Sequence, residues 1–355
     1  MAVPPPGVVD CDVHISVPST RALLPYLDEY WREHMVLRGM HETNDDLGSY
    51  PASSPLSCRP DWRPEAGPPG SDLGVLQKMM DAFGTEIAIA NCLSVAHTTY
   101  SEDLAGAYAR AINRWIAEEW LSADRRLRAS LVVTVVNPEV AVREIEYWAK
   151  DDRFVQVLLL AMGEAPLGRK IYWPIYEAAE RHGLPVAIHP GSNYRHPTTS
   201  LGWPSYLLED YVAQSQAIAS QLNSFFAEGV FVKFPELKLV LLESGVTWLP
   251  PYLWRANKSW RALRPEIPWN KRPPAEVVRE KVRLPVQPFD GPPTDEAARK
   301  VLDLIRGDHM FLFATDFPHW HFDGTDALAP VFGGERSADL YRRNAFETYP
   351  RLGAH

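Results

Sequence analysis

Along the chain, short apolar, β-branched runs alternate with longer stretches whose apolar residues fall three and four apart. The short runs are Gly7–Ile15, Glu86–Leu93, Arg128–Val135, Phe154–Leu160, Leu184–His189, Leu237–Glu243, a weak one at Val282–Val286, and Met310–Asp316. Each is bounded by turn or polar residues, as expected of strands buried on both faces of a parallel sheet. The stretches between them predict helices over Asp72–Phe83, Glu102–Ser122, Glu139–Lys150, Ile171–His182, Tyr206–Glu228, Val246–Leu263, Asp295–Arg306 and Ala338–Tyr349. Asn137-Pro138 reads as an N-cap followed by proline in the first helical turn. Eight strand–helix units in 355 residues predict an α/β fold, a (β/α)8 TIM barrel spanning the chain as one domain. An open doubly wound sheet is the alternative, but it wants a glycine-rich turn after its first strand, and GxGxxG is absent.

Two segments break the alternation. Pro18–Gly70, after the first strand, and Arg264–Pro293, before the seventh helix, are rich in proline. Long insertions at the end of a barrel are expected to serve as lids or to pack against a partner subunit.

Composition narrows the class. With 46% hydrophobic and 23% charged residues the chain is ordinary globular material, long enough to bury a large core. The 36 basic residues are outnumbered by 45 acidic ones, giving a formal charge of −9 and no basic stripe. Nucleic acid and anionic membrane are therefore not expected partners. Cys11, Cys58 and Cys92 form neither an even framework nor a CxxC pair, which points to a reduced, cytoplasmic setting. No leader pattern opens the sequence, and no run approaches the length of a membrane span.

The chemistry is expected at strand ends. Asp12 and His14 lie two apart near the carboxyl end of the first strand, so both face one side. A carboxylate and an imidazole so placed can bind a divalent metal, although a capping Asp and a core His would look the same. His189 ends the fifth strand, Glu243 the sixth and Asp316 the eighth. Ionisable groups closing apolar strands are costly unless they meet partners, and barrel active sites are built at this end.

Jointly DCDVH, HPGSN, ELKLVLLESGVTWLP, ATDFPH and RRNAFETY resemble the amidohydrolase superfamily, in the branch around aminocarboxymuconate-semialdehyde decarboxylase. The resemblance covers nearly the whole chain outside the two insertions. It implies a barrel with one metal at its mouth, Zn2+ first and Mn2+ second, held by Asp12, His14, His189 and Asp316. Binuclear members carry a lysine at the end of the fourth strand; FVQVLLLAM has none, so one ion is expected. Well-studied decarboxylases of the branch have histidine where Glu243 stands, so this glutamate is expected to replace it as base, to act as an added ligand, or to mark a different reaction. A homodimer is implied as well.

The function expected first is hydrolysis of a small amide, ester or lactone by metal-activated water, with Asp316 or Glu243 moving protons. The alternative is non-oxidative decarboxylation of a small aromatic or unsaturated acid, with Arg195 or Lys233 available to hold a carboxylate. A degenerate barrel acting as a binding module is a third possibility. His319, three residues after Asp316, is expected to hydrogen-bond within the mouth. His196 and His321 reach the same end with no role assigned. His34, His41, His97, His182, His309 and His355 read as surface or helix residues. Tyr26, Trp31, Trp62, Trp173 and Trp203 either line an aromatic pocket or pack in core and interface.

Overall fold

In the computed structural model, which describes residues 7–42, 58–191 and 195–353, eight parallel strands follow one another around a single sheet. They are β1 (Val8–His14), β2 (Thr85–Asn91), β3 (Leu127–Val132), β4 (Phe154–Leu160), β5 (Val186–His189), β6 (Leu239–Leu241), β7 (Val282–Pro285) and β8 (Phe311–Leu312). The sheet closes on itself past the short eighth strand. The Cys11 amide donates to the Phe313 carbonyl at 2.9 Å, Asp316 to Asp12 at 3.1 Å and His14 to Phe317 at 2.6 Å. This seam makes a barrel and removes the open-sheet alternative.

Alternation along the strands separates two cores. Val8, Val13, Ala88, Ala90, Val157 and Leu159 face the surrounding helices. Val9, Cys11, Ile87, Ile89, Val155, Ala187, Val240 and Leu312 fill the interior, where Tyr349 and Leu352 join them from the C-terminal segment. In β1 the ladder shifts register between Asp10 and Val13. Cys11, in the interior core, is thus followed directly by Asp12, which also turns inward.

The helices on the outer face match the predicted ones within a few residues. Asp72 and Thr294 cap theirs through side-chain oxygens on the Val75 and Ala297 amides. Asn137 caps the helix Pro138–Trp148, with proline in its first turn as read from sequence. The stretch Glu102–Ser122 holds an α-helix only to Trp115, then widens into a π turn over Ile116–Leu121. None of the described helices is long and apolar enough to cross a membrane.

The segments read as insertions have structure of their own. Pro18–Gly70 carries a helix at Glu29–Leu37, capped by Asp28, while residues 43–57 lie outside the described residues. Its returning limb meets the loop after β8: the Arg59 amide donates to Pro318 at 2.9 Å and its guanidinium to Phe322 at 3.0 Å. Arg264–Pro293 is only in part a loop, because Pro274–Lys281 is helical and runs straight into β7. The proline-rich composition hid this helix, whose prolines sit at its start, where no amide is needed.

At the opposite end of the barrel, Arg351 closes the floor. Its guanidinium donates to the carbonyls of Ala149, Asp151, Phe154 and His182 at 3.0–3.4 Å, joining the ends of two helices to the start of β4. Arg351→Ala would leave these acceptors short of donors, and urea denaturation should show a loss of about 2–4 kcal/mol. A loss below roughly 0.5 kcal/mol would mean that water replaces the guanidinium there without cost.

Candidate metal centre

Six side chains converge at the carboxyl ends of the strands, and all six are the ones singled out by sequence. Asp12 and His14 come from β1, His189 is the last residue of β5, and Glu243, Asp316 and His319 follow β6 and β8. Asp12 and Asp316 are fully buried, and His14, His189 and Glu243 nearly so. His14 Nε2 lies 3.4 Å from Asp12 Oδ1, 3.3 Å from Glu243 Oε1 and 3.1 Å from Asp316 Oδ1. Glu243 Oε1 is also 3.2 Å from His189 Nε2 and 3.1 Å from His319 Nδ1, so one carboxylate oxygen faces three imidazoles. His319 Nδ1 is 2.8 Å from Asp316 Oδ1.

The backbone pays for this convergence at two places. Glu243 has φ 43° and Asp316 φ 56°, in the left-handed region where residues other than glycine are strained. Strain of this kind persists where the surroundings over-determine it and gathers at functional sites. Both residues turn the backbone where the apolar runs Leu237–Glu243 and Met310–Asp316 end, just past the shorter strands β6 and β8. His189 is oriented differently: its Nδ1 meets the Pro190 carbonyl, which directs Nε2 into the cluster.

Electrostatically the cluster sets three buried carboxylates among imidazoles. Burial raises the carboxyl of Asp12 to about 6 despite the nearby imidazoles of His14 and His189. For Glu243 burial also acts upward, but His189, His14 and His319 outweigh it and hold the group well below its usual range. Burial disfavours the charged rings of His14 and His319, yet the carboxylates prevail; His14 lies well above its ordinary value and His319 at about 9. Three buried carboxylates thus depend on imidazolium protons for balance, a role that a divalent ion would fill with the imidazoles neutral.

The donor atoms fit such an ion. Asp12 Oδ2, His14 Nε2, His189 Nε2, Glu243 Oε1 and Asp316 Oδ2 are buried without a hydrogen bond of good geometry among the described residues. Two overlapping sets could hold a metal: Asp12, His14 and His189, and His14, Glu243, Asp316 and His319. His14 belongs to both, so the two sets describe one site.

Other expectations fare differently. His321, given no role from sequence, lies with Nδ1 3.2 Å from Asp316 Oδ2 and its ring stacked on Trp320. Its spacing of two from His319 was the available signal. His97, read as a surface or helix residue, is buried, and burial pushes its ring down to about 4. It sits on a cavity of about 650 Å3 lined by the loops after β2, β3, β4 and β5, with Arg195 and His196 at its edge. Lys233 is exposed at a helix end and is not among the residues lining that cavity. Tyr26 and Trp62 are buried, Trp62 against Phe83, Phe317 and Phe322; Trp31 and Trp173 are half-buried and Trp203 is exposed. His355 lies outside the described residues.

A family model described as amidohydrolase matches residues 9–350. Over 278 residues the chain is 26% identical to a gamma-resorcylate decarboxylase of Polaromonas sp. (strain JS666 / ATCC BAA-500), covering 75% of this chain and 82% of that protein. The 2,6-dihydroxybenzoate decarboxylase from Rhizobium superimposes with TM-score 0.70 at 21% identity, covering 98% of this chain and 100% of that one. A dihydroxybenzoic acid decarboxylase of Polaromonas sp. JS666, with bound manganese and the inhibitor 2-nitroresorcinol, gives 0.68 at 21% identity, covering 98% and 97%. At such identities the two structures establish the common fold.

Proposed function

The chain belongs to the amidohydrolase family and is an enzyme of that superfamily, and on this premise we propose that it is a non-oxidative decarboxylase of a small hydroxylated aromatic acid. The observation that carries the reading is the likeness to a gamma-resorcylate decarboxylase across three quarters of the chain. We assign Asp12, His14, His189 and Asp316 as the ligands of one divalent ion, with Glu243 as an added ligand. Three carboxylates to two imidazoles is an oxygen-rich set, which suits Mn2+ better than the Zn2+ expected from sequence. Manganese in the Polaromonas relative supports the same choice.

When bound, the ion would supply positive charge that fixes a substrate carboxylate beside its neighbouring hydroxyl oxygen and offsets charge developing in the ring. The chain's own residues do the rest. As the bond to the carboxylate carbon breaks, its electron pair stays on the ring carbon, and a proton must arrive there. His319 with Asp316 is the pair placed to deliver it, Nδ1 lying 2.8 Å from Oδ1. Hydrolysis, put first on sequence grounds, would need a carboxylate free to act as base. Glu243, the obvious choice, has its Oε1 within 3.3 Å of three imidazole nitrogens.

The test is release of CO2. Protein stripped with chelator and reloaded with Mn2+ is offered 2,6-dihydroxybenzoate, with Zn2+ loading and a panel of esters and lactones in parallel. Equal yields of CO2 and resorcinol are expected, falling at least about a hundredfold on chelation. Ester or lactone cleavage without CO2 from any hydroxybenzoate would restore the hydrolytic reading.

A further inference from the structure

Behind Asp12 lies a row of uncharged, hydrogen-bonded side chains. Asn91, the last residue of β2, donates from Nδ2 to Asp12 Oδ1 at 2.8 Å. Its own Oδ1 accepts from the Ser130 hydroxyl on β3 and from Gln156 Nε2 on β4, the latter at 3.2 Å. Gln156 Nε2 also donates to Ser130 Oγ at 2.8 Å. Asn91, Ser130 and Gln156 are all fully buried, away from bulk solvent.

The direction of donation is determined along the chain. Gln156 uses its amide hydrogens on Ser130 and Asn91, and the Ser130 hydroxyl donates to Asn91 too. With two donors on Oδ1, the Asn91 amide cannot turn over, and its N–H must point at Asp12. Gln156 Oε1 is left buried without a donor among the described residues, so the arrangement is not the one that satisfies Gln156 itself best. On the β2 side the register shift after Asp10 leaves Asp12 without a backbone partner, so there its side chain is held by the Asn91 amide.

We propose that Asn91, oriented by Ser130 and Gln156, is the positioning residue that holds the Asp12 carboxylate in the metal centre. The inference rests on the reading of Asp12 as a metal ligand. It adds that strands β2, β3 and β4, which carry none of the assigned ligands, set the affinity of the site through one amide. Residues that orient metal ligands are commonly worth ten- to a hundredfold in affinity.

Mn2+ titration of the full chain, read by calorimetry and by the spin-resonance spectrum of bound Mn2+, tests this without any substrate. Asn91→Ala is expected to weaken Mn2+ by at least about tenfold and to alter the spectrum. Asn91→Asp keeps the shape but sets an acceptor against Asp12, and should weaken it as much. Gln156→Glu, which does not touch Asp12, should also weaken Mn2+ because it no longer donates to Asn91. Should Asn91→Ala not fold, the isosteric Asn91→Asp and Gln156→Glu carry the test. Affinities within twofold of the parent in all folded variants would overturn the inference. His189→Ala separates it from the reading beneath: lost Mn2+ there with parent-like Asn91 variants sinks only the positioning role. Retained Mn2+ in His189→Ala would sink the metal-centre assignment itself.

Discussion

Replacing His189 with alanine is expected to empty the metal centre and lower turnover by on the order of a thousandfold, about 4 kcal/mol of transition-state stabilisation. The expectation follows from how the ring is held. Nδ1 meets the Pro190 carbonyl, and Nε2, buried, lies 3.2 Å from Glu243 Oε1 with no hydrogen bond of good geometry among the described residues. Alanine removes that nitrogen and leaves Glu243 with His14 and His319 alone. The fold itself should survive, because the β5 ladder is made by backbone groups and Ile188 keeps its place in the outer core. Elemental analysis of protein purified without added metal or chelator, beside circular dichroism and a CO2 assay, reads the three consequences together. One equivalent of metal and parental turnover in a folded variant would remove His189 from the site.

Much of the architecture was legible because burial writes a simple pattern. A parallel strand covered on both faces is a short apolar run, and the residue ending it stands out when it is ionisable, as His189, Glu243 and Asp316 do. The same criterion would have found Asn91, which closes EIAIAN, had neutral amides been weighed with charged groups. What stayed hidden depends on backbone geometry. The register shift between Asp10 and Val13 leaves no trace in composition. Nor do the left-handed turns at Glu243 and Asp316, which close the two apolar runs just beyond β6 and β8. His97 does end a short helical turn, but its burial was not legible, because an imidazole gives no sign of burial in sequence; here the Ser94 amide meets its Nδ1. The helix Pro274–Lys281 was missed because prolines at a helix start look like loop residues when counted as composition.

Glu243→Gln should then weaken Mn2+ by roughly ten- to a hundredfold and turn the site's preference toward Zn2+. The substitution keeps size and shape but exchanges a charged oxygen for an amide. In the parent, Glu243 Oε1 lies 3.1–3.3 Å from His14 Nε2, His189 Nε2 and His319 Nδ1, and these imidazoles hold its carboxyl well below the usual range. A neutral amide removes one of three negative charges, so the remaining donors, Asp12, Asp316, His14 and His189, form a softer set with more imidazole character. Competition between Mn2+ and Zn2+, read by elemental analysis of variant and parent loaded from equimolar mixtures, measures the change directly. If Glu243 were instead a base that never touches the ion, the variant would keep its Mn2+ while kcat fell and the acidic limb of its pH profile disappeared. That outcome would return the residue to proton transfer and reopen hydrolysis, since a free carboxylate beside the metal is what water activation requires.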